Sequence, residues 1–332
     1  MIVPSDGEIT VLAFPLNAWL PARRAREVVE DVRPSTRPWE DVVARLRELG
    51  AERGVVGIVE TDLGTSIPSN HLDHFREQLP DVRFRSVTRE WWRTVRLIRS
   101  NEEIASLERA ARIGDVMSSA VAERVRPGMP ERGIFAVLSE AMIHAGGEIP
   151  TMVLAASGPS LGPFDTFQRE RPMNRMLMPA DVILTEIAPR VPDGSECQTG
   201  RSYTFGEPSS EYRRLAEVMM ETYDAISAQL RPGRTDQDVV DAAQPIRRAG
   251  YVWLSPLIHG AEGGAAGSLP MIAPSMSLLE EEPFTFAPDM VVTIEVHIAK
   301  PDYTAGLFTA DTWVVGEQPR CLNQYRRELI VI

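Results

Sequence analysis

The sequence predicts an α+β protein: a small α/β domain over residues 1–95, followed by a larger domain over residues 98–325 that is built on an internal repeat. Three observations predict it. A helix, the tripeptide Arg-Pro-Gly and a second helix occur twice, with Arg126 and Arg231 105 positions apart and the closing Gly146 and Gly250 104 apart, and a fixed offset of this kind signals a duplicated unit. Between the copies, Asp181 to Gly206 reads as a β-hairpin, an apolar run from Val182 and a return run from Arg201 to Phe205 about the turn Pro192-Asp193-Gly194. Before residue 95, short strand-like and helix-like runs alternate, the pattern of a small α/β domain.

Taken in order, Glu8 to Leu16 is strand-like, and Thr36-Arg37-Pro38 leads into a helix whose apolar positions Val42, Val43, Leu46 and Leu49 have helical spacing, closed by Gly50. Val55 to Val59 reads as a buried strand, His71 to Leu79 as a helix and Val82 to Val87 as an alternating strand. Ser100-Asn101-Glu102-Glu103 is a capping box that opens a helix running through Ile104, Leu107, Ala111 and Val116 to Val125. The next helix carries Ile134, Val137, Leu138 and Met142 and stops at Gly146-Gly147. In the second copy a helix spans about Glu211 to Leu230, and Thr235 with Asp238 caps another that stops at Gly250. Pro245 inside that last helix predicts a kink or an early stop, because proline removes a backbone donor and clashes with the preceding turn.

Composition excludes several classes. With 43% hydrophobic and 25% charged residues the chain reads as an ordinary soluble globular protein. Its net charge of −12 argues against a nucleic-acid or anionic-membrane surface, since both need a positive footprint. No apolar stretch reaches the roughly 20 residues of a membrane helix, and the first residues lack the basic-then-apolar layout of a signal peptide. Two cysteines, Cys197 and Cys321, make no disulfide framework, so a cytoplasmic location is expected.

The hairpin carries an acid at Glu186 on its first strand, Gln198 on its second, and Arg201-Ser202 just beyond. This layout resembles the metal-binding hairpin of the creatinase/aminopeptidase P/methionine aminopeptidase superfamily (peptidase M24-like, the pita-bread fold), where two aspartates stand at the positions of Glu186 and Gln198. Further landmarks over residues 98 to 320 agree. Pro256 to Gly260 is similar to the family's ligand histidine in its Gly-His-Gly setting, Ala287 to Glu295 to the strand of its first ligand glutamate, and Gly306 to Thr312 to the closing Gly-Val-Arg-Ile-Glu-Asp-Thr, with Ala310 where the second glutamate stands. The resemblance implies a pita-bread fold with a pseudo-twofold repeat behind a short creatinase-like N-terminal domain, and a homodimer.

A working family site holds two divalent cations on two aspartates, one histidine and two glutamates. The corresponding set here, Glu186, Gln198, His259, Glu295 and Ala310, has only two carboxylates, so the second metal is expected to be lost. The family's upstream histidine falls on Asp165, and the histidine beyond Gly-His-Gly falls near Ala266 or Gly267. The pattern is closest in site character to the metal-independent creatinase-like members. It leads to the expectation of a metal-independent enzyme, without cofactor, that acts on a small polar substrate and hydrolyses an amide or amidine C–N bond. The catalytic residues would be His259, Glu295, Glu186 and Asp165, an imidazole oriented by a carboxylate together with acids that share a low-dielectric pocket. Arg201, Gln198 and His297 would bind substrate, Arg201 through its fork, although neutralising the two glutamates is an equal reading of that arginine. Cys197 neighbours Gln198 on the strand and should face away. Two alternatives stand beside this reading: a non-catalytic homologue that serves as a binding or regulatory protein, and a one-metal Xaa-Pro peptidase-like hydrolase on Glu186, His259 and Glu295.

Overall fold

The computed structural model describes residues 1–13, 29–59, 67–91, 95–159, 174–253, 256–261, 270–273 and 283–332. The chain forms two compact units, Met1–Trp91 and Trp92–Ile332. The first comprises β1 (Thr10–Ala13), β2 (Asp31–Pro34), α1 (Pro38–Glu48), β3 (Gly54–Ile58), α2 (Ser69–Gln78), β4 (Val82–Ser86) and the short α3 (Thr88–Trp91). β1 pairs with β2 and β3 with β4, both in parallel. α1 begins at Pro38, places Glu40 and Asp41 in its first turn and Arg45 and Arg47 in its last, the sense its dipole favours, and turns Val43 and Leu46 onto Phe75, Leu79 and Val82. β3 departs from the expected buried strand: β4 is its only pairing partner among the described residues, and Val55 is 55% exposed. An apolar run predicts a strand but not a cover for both of its faces.

The second unit repeats itself. Its first half is α4 (Asn101–Arg124), α5 (Arg132–His144), β5 (Glu148–Gly158), β6 (Val182–Arg190) and β7 (Thr199–Thr204). Its second half is α6 (Ser210–Ser227), α7 (Asp236–Ala242), α8 (Gln244–Arg248), β8 (Val252–Trp253), β9 (Ile258–Gly260), β10 (Val291–Ala299) and β11 (Gly306–Val314), and the short β12 (Arg320–Cys321) and β13 (Ile330–Val331) follow. Both capping boxes form, at Ser100 with Glu103 and at Thr235 with Asp238. Pro245 acts as expected, since α7 ends at Ala242 and the proline stands in the first turn of α8.

The repeat is legible in backbone detail. Gly128 and Gly233, which close the two Arg-Pro-Gly turns, have φ of +86° and +84°, a region that glycine enters without a Cβ penalty. The N–H of Gly128 donates to the carbonyl of Leu177 at 2.8 Å, and that of Gly233 to the carbonyl of Phe286 at 2.9 Å, equivalent points ahead of β6 and β10.

One sheet runs through both halves in the order β5-β6-β7-β11-β10-β8, with β9 on β10, β12 on β11 and β13 on β7. The two hairpins, β6/β7 and β10/β11, therefore meet at the midline, where Ala310 pairs with Gly200. Apolar residues of α4 and α5 pack on Ile183 and Ile187 of β6, and those of α6 to α8 pack on Val292, Ile294, Val296 and Ile298 of β10. Glu186, between Ile183 and Ile187 in the alternation, and Glu295, between Ile294 and Val296, are turned away from those helices. Among the described residues no helix is long and apolar enough to cross a membrane.

Candidate metal and active site

The strand register lays the site out as a row across the sheet. Glu186 pairs with Gly200, Gly200 with Ala310, and Ala310 with Glu295. Residues paired across neighbouring strands point to the same side, so the carboxyl groups of Glu186 and Glu295 face one another from opposite halves of the repeat. Two residues along from Gly200, at the mouth of β7, stands Gln198, and His259 enters from β9, paired with Thr293.

These side chains form one hydrogen-bonded chain. The Gln198 amide nitrogen donates to Glu186 Oε1 at 2.7 Å and reaches Glu295 Oε2 at 3.3 Å, and His259 Nε2 lies 3.0 Å from the same Oε2. His259 Nδ1 stands 2.7 Å from the Gly260 carbonyl. A carbonyl only accepts, so Nδ1 carries a proton toward it. The contact between Nε2 and Glu295 then requires a second proton, held by the ring or by the carboxyl. All four residues are buried: Glu186 is 2% exposed, Glu295 3%, and Gln198 and His259 8% each. Burial, and after it the charge of Glu295, hold the Glu186 carboxyl well above the usual carboxylate range. Its Oε2 has no hydrogen-bond partner among the described residues.

His297 continues the same face of β10, as alternation from Glu295 requires. Its Nδ1 is 3.7 Å from Glu295 Oε1, too far for a hydrogen bond, and its ring lies against Phe308 with centroids 4.0 Å apart. Burial pulls its pKa down to about 4, with the Glu295 charge opposing, so the ring is neutral at neutral pH. Thr293 and Phe308 also belong to this face and were missed in the sequence. Both lie two positions from a residue already singled out, Glu295 and Ala310, which was the available signal.

One of the expected residues falls elsewhere, and another lies outside the described residues. Arg201 is not a substrate fork. It sits on the opposite face of β7 from Gln198 and Gly200, is fully buried, and spends its donors on Asp311 Oδ1 at 2.7 Å and on the carbonyls of Gly200, Ala310, Tyr325 and Arg326. It does not neutralise Glu186 or Glu295 either; its counter-charge is Asp311. Asp165 lies outside the described residues, as do Ala266 and Gly267. Cys197 faces away from the site as expected, with Sγ donating to the Leu107 carbonyl at 3.0 Å and burial pushing its pKa up to about 12, which makes it inert as a nucleophile. A surface groove of about 540 Å³ lined by Arg109, Arg112, Ile113, Val116, Val191 and Asp193 lies on the helix-covered side of the sheet and shares no residue with the row.

The donor set can be tested against the cations that the fold's resemblance implies. The two buried carboxyl groups, joined by a neutral amide, are short of positive charge whenever both ionise, which is why the Glu186 carboxyl is held above its usual range, and its Oε2, without a hydrogen-bond partner among the described residues, marks where compensation is least. One divalent cation fits that deficit, with Glu186, His259 and Glu295 to hold it and the Gln198 amide oxygen as a neutral fourth donor once the amide is turned. As the side chains stand, no three His, Cys, Asp or Glu groups among the described residues form a ready cage. Two cations do not fit, because position 198 offers no charge and Ala310 offers a methyl group.

Comparison with known proteins agrees with the architecture and corrects the chemistry. The model of metallopeptidase family M24 matches residues 105–317. The Xaa-Pro dipeptidase of Lactobacillus helveticus is 26% identical over 290 residues, which cover 84% of this chain and 72% of that protein. A dipeptidase structure from Pyrococcus horikoshii superimposes with a TM-score of 0.79 at 22% identity, covering 97% of this chain and 85% of the other. A prolidase structure from Thermococcus sibiricus gives 0.81 at 20% identity, with 99% and 86% covered. At those identities the structures speak for the fold alone, and the fold is the pita-bread one. The expectation of a metal-independent enzyme is overturned: the matching family is one of metallopeptidases, and the relatives that share sequence include proteins named Xaa-Pro dipeptidase. The missing carboxylates count against a second cation, and treating them as the loss of both went a step too far. With about two thirds of its length matched by the family's own model, and the family's hairpins meeting at the site just described, the chain belongs to metallopeptidase family M24.

Proposed function

We propose that this protein hydrolyses the C–N bond of an Xaa-Pro type dipeptide, with one divalent cation held by Glu186, His259 and Glu295. The observation that carries the reading is the hydrogen-bonded chain Glu186–Gln198–Glu295–His259, which joins the two halves of the sheet at one buried point. When bound, the cation would polarise the scissile carbonyl and make a water more acidic. The chain's own residues supply the rest. The Gly260 carbonyl fixes Nδ1 of His259 and so turns Nε2 toward Glu295; Nε2 is the nitrogen that would hold the cation, once the proton it shares with the carboxyl is given up. Burial holds the Glu186 carboxyl above its usual range, so it would give up its proton on taking the cation, and the Gln198 amide links it to Glu295. His297, neutral and against Phe308, walls the site on one side with hydrocarbon and imidazole.

The test is amine release from a panel of dipeptides with proline or another residue in second place, with Mn²⁺, Co²⁺ or Zn²⁺ added. Turnover of the proline substrates that disappears in His259→Ala and Glu295→Gln is the expected result; a folded protein that turns over none of them with any cation refutes the reading. Gln198 and Ala310 favour one further reading, a non-catalytic homologue that binds its ligand. Calorimetric binding of the same dipeptides without turnover is its signature.

A further inference from the structure

A second cation bridged by acids at positions 186 and 310 would have to stand over Gly200, the residue that pairs with both. Hydrocarbon stands there instead. A Cβ added to Gly200 would lie 2.3 Å from Phe308 Cε1 and 2.8 Å from its Cδ1 and Cζ, so the ring rests on the bare glycine backbone. Phe308 is fully buried and its ring also lies against His297, with centroids 4.0 Å apart. Ala310, on the same face of the same strand, is fully buried as well. A ring seated on the backbone in this way occupies the space over Gly200 that an ion and its ligands would need.

We infer that the Phe308 ring is a plug that fills the place of a second cation, so that this chain takes one divalent cation by shape as well as by charge. The inference rests on the one-cation reading above and goes beyond it, because charge and shape are separable. Gln198→Asp with Ala310→Glu restores the missing carboxylates and leaves the ring where it is. Adding Phe308→Val then removes the obstacle.

The experiment counts Mn²⁺ per chain by calorimetric titration and by metal analysis after dialysis, with circular dichroism to show that each variant is folded. The expected result is one ion in the wild type, still one in Gln198→Asp/Ala310→Glu, and two when Phe308→Val is added, a doubling produced by removing an apolar side chain that binds no metal. Two ions in the double variant with Phe308 intact, or a folded triple variant that still takes one, overturns the inference. Should Ala310→Glu prevent folding, Gln198→Asp against Gln198→Asp/Phe308→Val makes the same comparison, with a gained ion expected only when the ring is gone and equal counts overturning the inference. A wild type that binds no ion sinks the one-cation reading, while the difference between variants with and without the ring still decides the role of Phe308.

Discussion

Replacing Arg201 by leucine separates a structural arginine from a substrate-binding one. The guanidinium is fully buried and makes five hydrogen bonds, one of them to the equally buried Asp311 at 2.7 Å and two to the carbonyls of Tyr325 and Arg326 in the C-terminal segment. Leucine fills part of the volume and satisfies none of those acceptors. Asp311 keeps Arg327 and the Tyr223 hydroxyl but loses its closest cation. Breaking one side of a buried ion pair costs about 3–5 kcal/mol, a large share of the roughly 5–15 kcal/mol that holds a domain folded. For a unit of this size that corresponds to a fall in Tm of about 6–20 °C, taking ~2–4 °C per kcal/mol. Urea titration of the metal-free protein, followed by fluorescence and circular dichroism together, measures the loss. The residual folded fraction should keep the wild-type KM for a dipeptide. A loss below about 1 kcal/mol together with a raised KM would refute the placement of Arg201 behind the sheet.

Three further outcomes follow from the same geometry. Glu186→Gln should stabilise the metal-free protein at neutral pH. The folded-state pKa of Glu186 lies above its unfolded value, so its contribution is fully present below pH ~4.3 and is lost as pH rises toward the folded pKa; chemical melts across pH 4 to 8 should fall less steeply in the variant, and parallel curves would contradict the burial of this group. Gly200→Ala should cost about 1–3 kcal/mol by forcing its methyl into Phe308, and an unchanged melting curve would mean the ring does not rest there. A thiol-reactive dye should leave Cys197 unlabelled until the protein is denatured, because its pKa of about 12 leaves almost no thiolate at pH 8; labelling of the native protein at that position, located by peptide mass analysis, would contradict its burial.

Much of the fold was legible because its signals are local. The duplicated Arg-Pro-Gly turns, the two capping boxes and the hairpin turn each depend on residues within a few positions of one another, and each has a physical counterpart in the structure. Membership of the site was legible where alternation along one strand decided it, as for Glu295 with His297. Arg201 shows the same rule left unapplied: the alternation that turns Cys197 away from Gln198 turns Arg201 away too. Its partner Asp311 stands 110 positions on, and nothing local in the sequence announces that pair. Phe308 was hidden for a related reason. Its contact with Gly200 exists only because β7 and β11 meet at the midline, and that pairing belongs to the assembled sheet. The chemistry was misjudged by a different route, since a count of ligands limits how many cations fit and does not by itself reach zero.

The central claim is that one buried cation position, Glu186 with His259 and Glu295, carries peptide-bond hydrolysis. It is tested most directly by following Xaa-Pro dipeptide hydrolysis while Mn²⁺ is added back to chelator-treated protein and the bound ions are counted in the same samples. Activity that starts near zero and saturates at one ion per chain is the predicted result. Activity that survives complete chelation, or that appears only as a second ion binds, would contradict it.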